Sequence, residues 1–176
     1  LGIVSLASPG EPAPDLAAYP WQRPDVVRQS QQICHSYQHW TGQSLLPEPA
    51  NISPQQLAQA LFEADFVVLS HGRETDPILN YGNQQALDLW QASWLEFTQM
   101  PSRLTAEPME RQERAKLLAQ AAAQGYIDGY RGIRIARNGE RFWIENAMIW
   151  TLLDEQGQIS GQAATFAQWR GISPEP

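Results

Sequence analysis

Apolar and polar positions alternate with a strand period in the last part of the chain and recur at helical spacing before it. Tyr126 to Ala136, Glu140 to Leu152 and Gln158 to Ala167 read as three long strands. Arg137-Asn138-Gly139 and Asp154-Glu155-Gln156-Gly157 separate them. Asn-Gly between apolar runs suits a type I′ turn, whose two central residues need positive φ, so the spacing predicts an antiparallel meander. In the middle strand Phe142, Ile144, Met148, Trp150 and Leu152 share one parity, against Arg141, Trp143, Glu145 and Thr151 on the other. A period of two with one face more apolar requires cover on that face. The preceding segments have to supply it.

Those segments read as helices and short strands. Val27, Ser30, Cys34, Tyr37 and Trp40 stand near helical spacing, with Pro24 suited to a first helical position and Gly42 to a left-handed stop. Ser53-Pro54-Gln55-Gln56 is a capping box opening a helix that runs to about Glu63. Phe66 to Ser70 predicts a short strand, and Ile78 to Asn83 a second one that turns into a helix capped by the Asn83 side chain on Ala86. Ala86, Leu87, Leu89 and Trp90 form the buried stripe of that helix. A brief helix carries Trp94, Phe97 and Met100 and stops at Pro101. Pro108 to Gln124 is the longest helix and ends at Gly125.

Length and charge narrow the class. The 176 residues suffice for one domain with a core. The net charge of −7, with no basic run, disfavours nucleic acid and anionic membrane surfaces as partners. A single cysteine, Cys34, excludes an internal disulfide and a multi-cysteine zinc site and fits a reducing, cytoplasmic setting. No stretch approaches the length of a membrane span. The apolar start, Leu-Gly-Ile-Val-Ser-Leu-Ala, lacks a positive leader and makes a poor signal peptide. Prolines at 9, 12, 14, 20 and 24 make residues 1–24 a tail or surface strap. Residues 25–63 form an N-terminal helical extension, 64–169 the core and 170–176 a second tail.

Two short strands, several short helices, one long helix and three long strands follow the order of a PAS-type sensor domain. The expected class is α+β: a five-stranded antiparallel sheet covered by helices on one face, with an N-terminal helical extension. Five stretches make the resemblance narrower: Phe66 to Gly72, Ile78 to Asn83, Pro101 to Glu107, Gly132 to Ile135 and Gly161 to Phe166. Together they resemble the MEKHLA family, PAS-related domains found in bacteria and at the end of certain plant homeodomain-leucine-zipper regulators. The resemblance covers about residues 25–169. It implies a pocket between sheet and helices and a sensory or regulatory role, in plants tied to control of dimerisation. It supplies no catalytic set, and the plant proteins' DNA-binding segment has no counterpart here.

Within that frame the chemistry is limited. Light-sensing relatives place a cysteine between the second strand and the long strands, and Gln84 to Gln124 contains none. Non-covalent flavin stays open, with Asn146 and Gln162 as amide partners, against the reading that both amides cap the sheet or face water. Haem lacks an axial histidine after His71. His35 and His39 are four apart without a third ligand and read as solvated. Ser70 and His71 are neighbours on a strand and point to opposite faces, so they form no nucleophile–base pair.

Two functions of different kind follow, and neither names a cofactor. The first is a small-molecule sensor with Asn80, Tyr81, Trp90, Arg103, Asn146 and Gln162 around the ligand; Arg103 grips an anionic group or pairs with Glu107 or another surface acid. Tyr81 and Trp90 line the pocket or belong to the core. The second is a ligand-free interaction module in which Tyr130, Trp143 and Ile149 on the outer sheet face meet a second copy or a separate effector protein, unless the first helix covers them. A filled core between helices and sheet would remove the first function, and a polar outer face the second.

Overall fold

The structure is a computed structural model and describes residues 19–47 and 51–173. Most of the expected proline-rich strap lies outside the described residues. Its last part forms one 3-10 turn at Pro20–Gln22 that buries Trp21.

Local signals set the element ends. Helix α1 (Pro24–Thr41) has Pro24 in its first turn and stops at Gly42, φ 71°, whose N–H donates to the Gln38 carbonyl. Helix α2 (Pro54–Phe62) opens with the reciprocal box: Gln56 N–H donates to Ser53 Oγ, and Ser53 N–H donates to the Gln56 side chain. Strands β1 (Val67–His71) and β2 (Leu79–Gly82) lead into α3 (Gln84–Trp90) and α4 (Trp94–Phe97). After a 3-10 turn at Ser102–Thr105, α5 (Pro108–Gln124) runs to Gly125. Strands β3 (Tyr126–Ile135), β4 (Arg141–Leu153) and β5 (Ile159–Phe166) form the meander.

The sheet order is β2-β1-β5-β4-β3, antiparallel throughout. A sixth strand, β6 (Gln168–Gly171), takes over beside β4 where β5 ends, pairing Trp143 with Arg170 and Ile144 with Trp169. Sequence alternation alone did not show it, because Ala167 interrupts the run and sends the chain on to the other half of β4.

Strand β4 is long enough to carry two patterns, and it changes phase between them. Asn146 adopts φ 51°, is exposed, and lies between the β6-paired and β5-paired stretches. An inserted residue of this kind turns every following side chain to the opposite face. Phe142 and Ile144 thus look toward α3, with the Phe142 ring 5.2 Å from Trp90. Beyond the bulge, Ile149 takes that side and clusters with Leu117 and Ala121 of α5. Trp150 turns to the other face and is fully buried under α1. The expectation that Phe142, Ile144, Met148, Trp150 and Leu152 share one face is therefore corrected: the left-handed residue in mid-strand divides them.

Helix α1 covers the second face. Trp150 Nε1 donates to the Ile33 carbonyl at 3.3 Å, and Tyr37 packs edge-on to Trp150 at 5.1 Å. Trp40 Nε1 donates to the Thr151 carbonyl at 2.8 Å, and Leu153 N–H donates to Ser36 Oγ at 2.8 Å. Helices α3, α4 and α5 lie over the first face or its edge. Asn83, with no exposure, ties these parts together. Its Oδ1 accepts from the N–H groups of Val68 and Ala86, and its Nδ2 donates to the carbonyls of Leu61 and Phe66.

Candidate functional site

A closed core would leave no room between α3, α5 and the sheet, yet a cavity of about 50 Å³ remains there. Leu69, Ile144, Ile149 and Phe166 form its apolar floor, and Trp90 and Leu118 its roof. The polar lining is what distinguishes it: His71 from β1, Gln162 from β5, Arg134 from β3, Arg114 from α5 and Thr105 from the preceding 3-10 turn. No aspartate or glutamate borders it.

Strand parity places three of these groups. His71 pairs with Gln162 across β1 and β5, and Arg134 pairs with Phe142 across β3 and β4, so all three side chains look toward the helices. Ser70, one residue earlier, looks the other way and accepts from Gln29 of α1 at 3.1 Å. The two members of the Ser70-His71 pair thus stand on opposite faces. Arg114 sits one turn ahead of Leu117 and Leu118 on α5, which brings its guanidinium onto the same side as the buried stripe.

Several of these groups lack partners. His71 is 8% exposed; its Nδ1 lies 2.9 Å from the Gly72 carbonyl, and its Nε2 has no hydrogen-bond partner. A carbonyl only accepts, so Nδ1 carries the proton of the neutral ring and Nε2 its lone pair. Trp90 is 2% exposed and its Nε1 is also unpartnered. Gln162 donates to the Leu118 carbonyl at 2.9 Å. Arg134 donates to the Ile133 carbonyl at 2.8 Å and reaches Tyr130 Oη only at 3.5 Å. Buried hydrogen-bonding atoms left unpaired cost roughly 1–3 kcal/mol each, so such a cluster in one cavity calls for something to fill it.

Burial also shifts the titration of the lining. Desolvation, and then the positive charge of Arg134, bring Arg114 down to about 10. Burial lowers His71, and Arg114 lowers it further, while the Gly72 carbonyl, Glu74 and Gln162 oppose the shift. A histidine depressed in the folded state binds fewer protons than in the unfolded chain between its two pKa values. Stability is therefore full above about pH 6.5 and falls as pH drops from there toward the folded value. Urea denaturation at successive pH values should show a slope of up to about 1.4 kcal/mol per pH unit in that window. In His71→Gln this part of the slope should vanish, and an unchanged slope would assign the acid sensitivity elsewhere.

The residues expected around a ligand separate. Trp90 and Gln162 border the cavity. Tyr81 pairs with Ser70, lies on the α1 face and packs edge-on against Trp94 at 5.7 Å. Asn80 Oδ1 accepts from Ser70 Oγ at 2.6 Å and from Gln29 at 3.3 Å, away from the cavity. Arg103 pairs with Asp76 at 3.2 Å in an exposed contact. Asn146 borders an open surface groove rather than the interior, because the bulge carries it there. The proposed partner face separates too. Ile149 lines the cavity, and Tyr130, paired with Ala147, packs on the α5 side. Trp143 stays on the outer face, half-buried with the Arg131 guanidinium 4.0 Å above its ring, and Glu145 bridges Arg131 and Arg170 alongside.

Cavity size bears on cofactors. About 50 Å³ is far below the roughly 300–1,000 Å³ of sites for drug-sized ligands. The Trp90 indole takes up the space, ringed edge-on by Phe97, Phe142 and Phe166. Neither an isoalloxazine nor a haem fits, and Asn146, one of the two amides considered for flavin, is outside.

An antiparallel sheet in this order, crossed on one face by short helices above a polar cavity, defines a PAS-type domain. Solved structures agree at the level of fold. The PAS domain of a protein from Colwellia psychrerythraea superposes with TM-score 0.57 at 18% identity, covering 67% of this chain and 95% of that one. An RNA-binding light-oxygen-voltage receptor gives 0.55 at 19% identity, over 70% of this chain and 36% of that one. A light-oxygen-voltage domain studied with a flavin analogue gives 0.52 at 18%, over 67% and 85%. The chain itself belongs to the MEKHLA domain family, which it matches over residues 27–171. The family match and the superpositions agree on a PAS-like fold. Homeobox-leucine zipper protein HOX9 of Oryza sativa, in subspecies indica and japonica, is 21% identical over 146 residues. The match takes in 83% of this chain and 17% of the rice proteins' length. Among the described residues no helix is long and apolar enough to cross a membrane.

Proposed function

We propose that this chain is a sensory module that binds a compact polar molecule in the cavity between the sheet and helices α3 and α5. The observation that carries the reading is the pair of buried, unpartnered atoms, His71 Nε2 and Trp90 Nε1, on residues that border one small space. A cavity shaped only by imperfect packing would be apolar and dry. Occupancy is passed to a separate effector protein through α1. Ile149 faces the cavity and Trp150 anchors α1, so consecutive residues of one strand touch ligand and output. We place the module in the cytoplasm, a reading supported by a lone Cys34 thiol that burial pushes up to about 12 and so keeps unreactive.

The test is a thermal-shift and native mass-spectrometry screen of the purified chain against small metabolites, charged and neutral, of up to about six heavy atoms. At least one should raise the melting temperature saturably, and Ala147→Leu, which fills the cavity wall, should abolish the rise. A screen in which no compound of either charge type stabilises the wild type more than the filled variant would overturn the reading.

A further inference from the structure

The cavity lies in a chain of net charge −7, yet among the described residues the charged side chains that line it are two arginines. Arg134 is 6% exposed. Arg114 makes no hydrogen bond among the described residues, and neither guanidinium has a carboxylate within ion-pair distance there. Six other arginines do have one. Two partly desolvated cations side by side repel one another, and among the described residues only neutral groups offset this at Arg134: the Ile133 carbonyl at 2.8 Å, and Tyr130 through its hydroxyl at 3.5 Å and its ring at 5.5 Å. What the surroundings lack is a negative charge.

Resting on the sensory reading above, we propose that the ligand is a compact, planar oxyanion of the carboxylate, hydrogencarbonate or nitrate type. Arg114 and Arg134 grip it, with His71 Nε2 and Trp90 Nε1 as further donors. Planar oxyanions match the fork of a guanidinium. Size sets the limit: one water-sized group needs about 10–15 Å³ of such space, so a cavity of about 50 Å³ admits an anion of about four heavy atoms. The aliphatic and aromatic walls raise the strength of each charge interaction inside and favour an anion that sheds its hydration easily. His71 adds a proton to the event. Its Nε2 has a lone pair in the neutral ring, so donation to an anion requires protonation there, and binding takes up that proton. Arg114 opposes this protonation while Glu74 and the Gly72 carbonyl favour it, and the anion screens the first of these.

The experiment titrates the full chain, at constant ionic strength in methanesulfonate buffer, with formate, acetate, nitrate and hydrogencarbonate, following tryptophan fluorescence and melting temperature. Formamide, acetamide and nitromethane are neutral probes of the same shape, and chloride and sulfate are anions of different geometry. At least one planar oxyanion should bind saturably at least tenfold more tightly than its neutral counterpart. Its affinity should rise by up to tenfold per pH unit as pH falls toward the depressed folded-state value of His71 and level off below it, a dependence that His71→Gln removes. Arg114→Met should remove the saturable response and, without anion, melt at a higher temperature than the wild type, which shows that the variant folds. Arg114→Lys should bind weakly, since it keeps the charge and loses the fork. Equal binding of the neutral probes would overturn the anion assignment and leave the ligand-binding reading standing. A wild type that responds to every salt as Arg114→Met does would overturn it as well.

Discussion

Asn83→Ala is expected to lower the unfolding free energy by about 4 kcal/mol, the largest loss for a single polar side chain in this fold. The substitution strands four buried backbone groups at once: the N–H of Val68 and Ala86 and the carbonyls of Leu61 and Phe66. Bulk water does not reach these groups, because Asn83 has no exposed surface. Asn83→Asp makes the assignment specific. It keeps the acceptor but turns the donor toward two carbonyls into a carboxylate oxygen, so it should cost nearly as much at neutral pH and recover part of the loss once protonated. Guanidinium denaturation with an unchanged m-value measures both. A loss below about 1 kcal/mol for the alanine variant would mean that the four groups find other partners.

Trp90→Ala should cost about 3–5 kcal/mol and turn the small cavity into a large one. The indole is 2% exposed and touches three aromatic rings, at 6.2 Å, 5.2 Å and 6.2 Å between centroids, so both transfer and packing contributions are lost. The emptied space is apolar on most sides and should accept indole itself. At a hundred times its dissociation constant the added indole should return about 2.7 kcal/mol. Denaturation with and without indole decides the matter; rescue confined to the variant locates the space, and equal stabilisation of the wild type would show binding elsewhere.

The parts of the fold legible in the sequence are those that depend on neighbours along the chain. Gly42 ending α1, the Ser53–Gln56 box and Asn83 capping Ala86 each act over a few residues, and the helices and long strands stand about where these signals put them. The chain also turns at Asn138-Gly139, but not as the expected type I′ turn: only Gly139 has positive φ, and the Gly139 N–H donates to the Ala136 carbonyl in a three-residue loop. The MEKHLA motifs supplied the order of the whole. The site was legible only in part. Trp90 and Gln162 were named, but the two arginines and His71 were not assigned to the pocket. Two signals pointed to them: a cation on the apolar stripe of α5 at Arg114, and a cation in strand register with Phe142 at Arg134. Asn80, Tyr81, Arg103, Asn146 and Ile149 lie where they do because of choices that alternation does not reveal. The left-handed turn of the backbone at Asn146 moves Ile149 inward, and the irregular pairing of Ser70 and His71 with β2 sends Asn80 and Tyr81 toward α1.

The same bulge sets a rule for how chains of this type can drift in length. On either side of Asn146, one residue gained or lost within β4 would exchange the contents of the cavity floor with those of the α1 seat, carrying Ile149 under α1 and Trp150 into the cavity. Insertions and deletions around β4 should therefore be tolerated only at the turns at 137–139 and 154–157, where the hairpins absorb them. Alignments of relatives should be anchored on the bulge and allowed gaps only at those two turns.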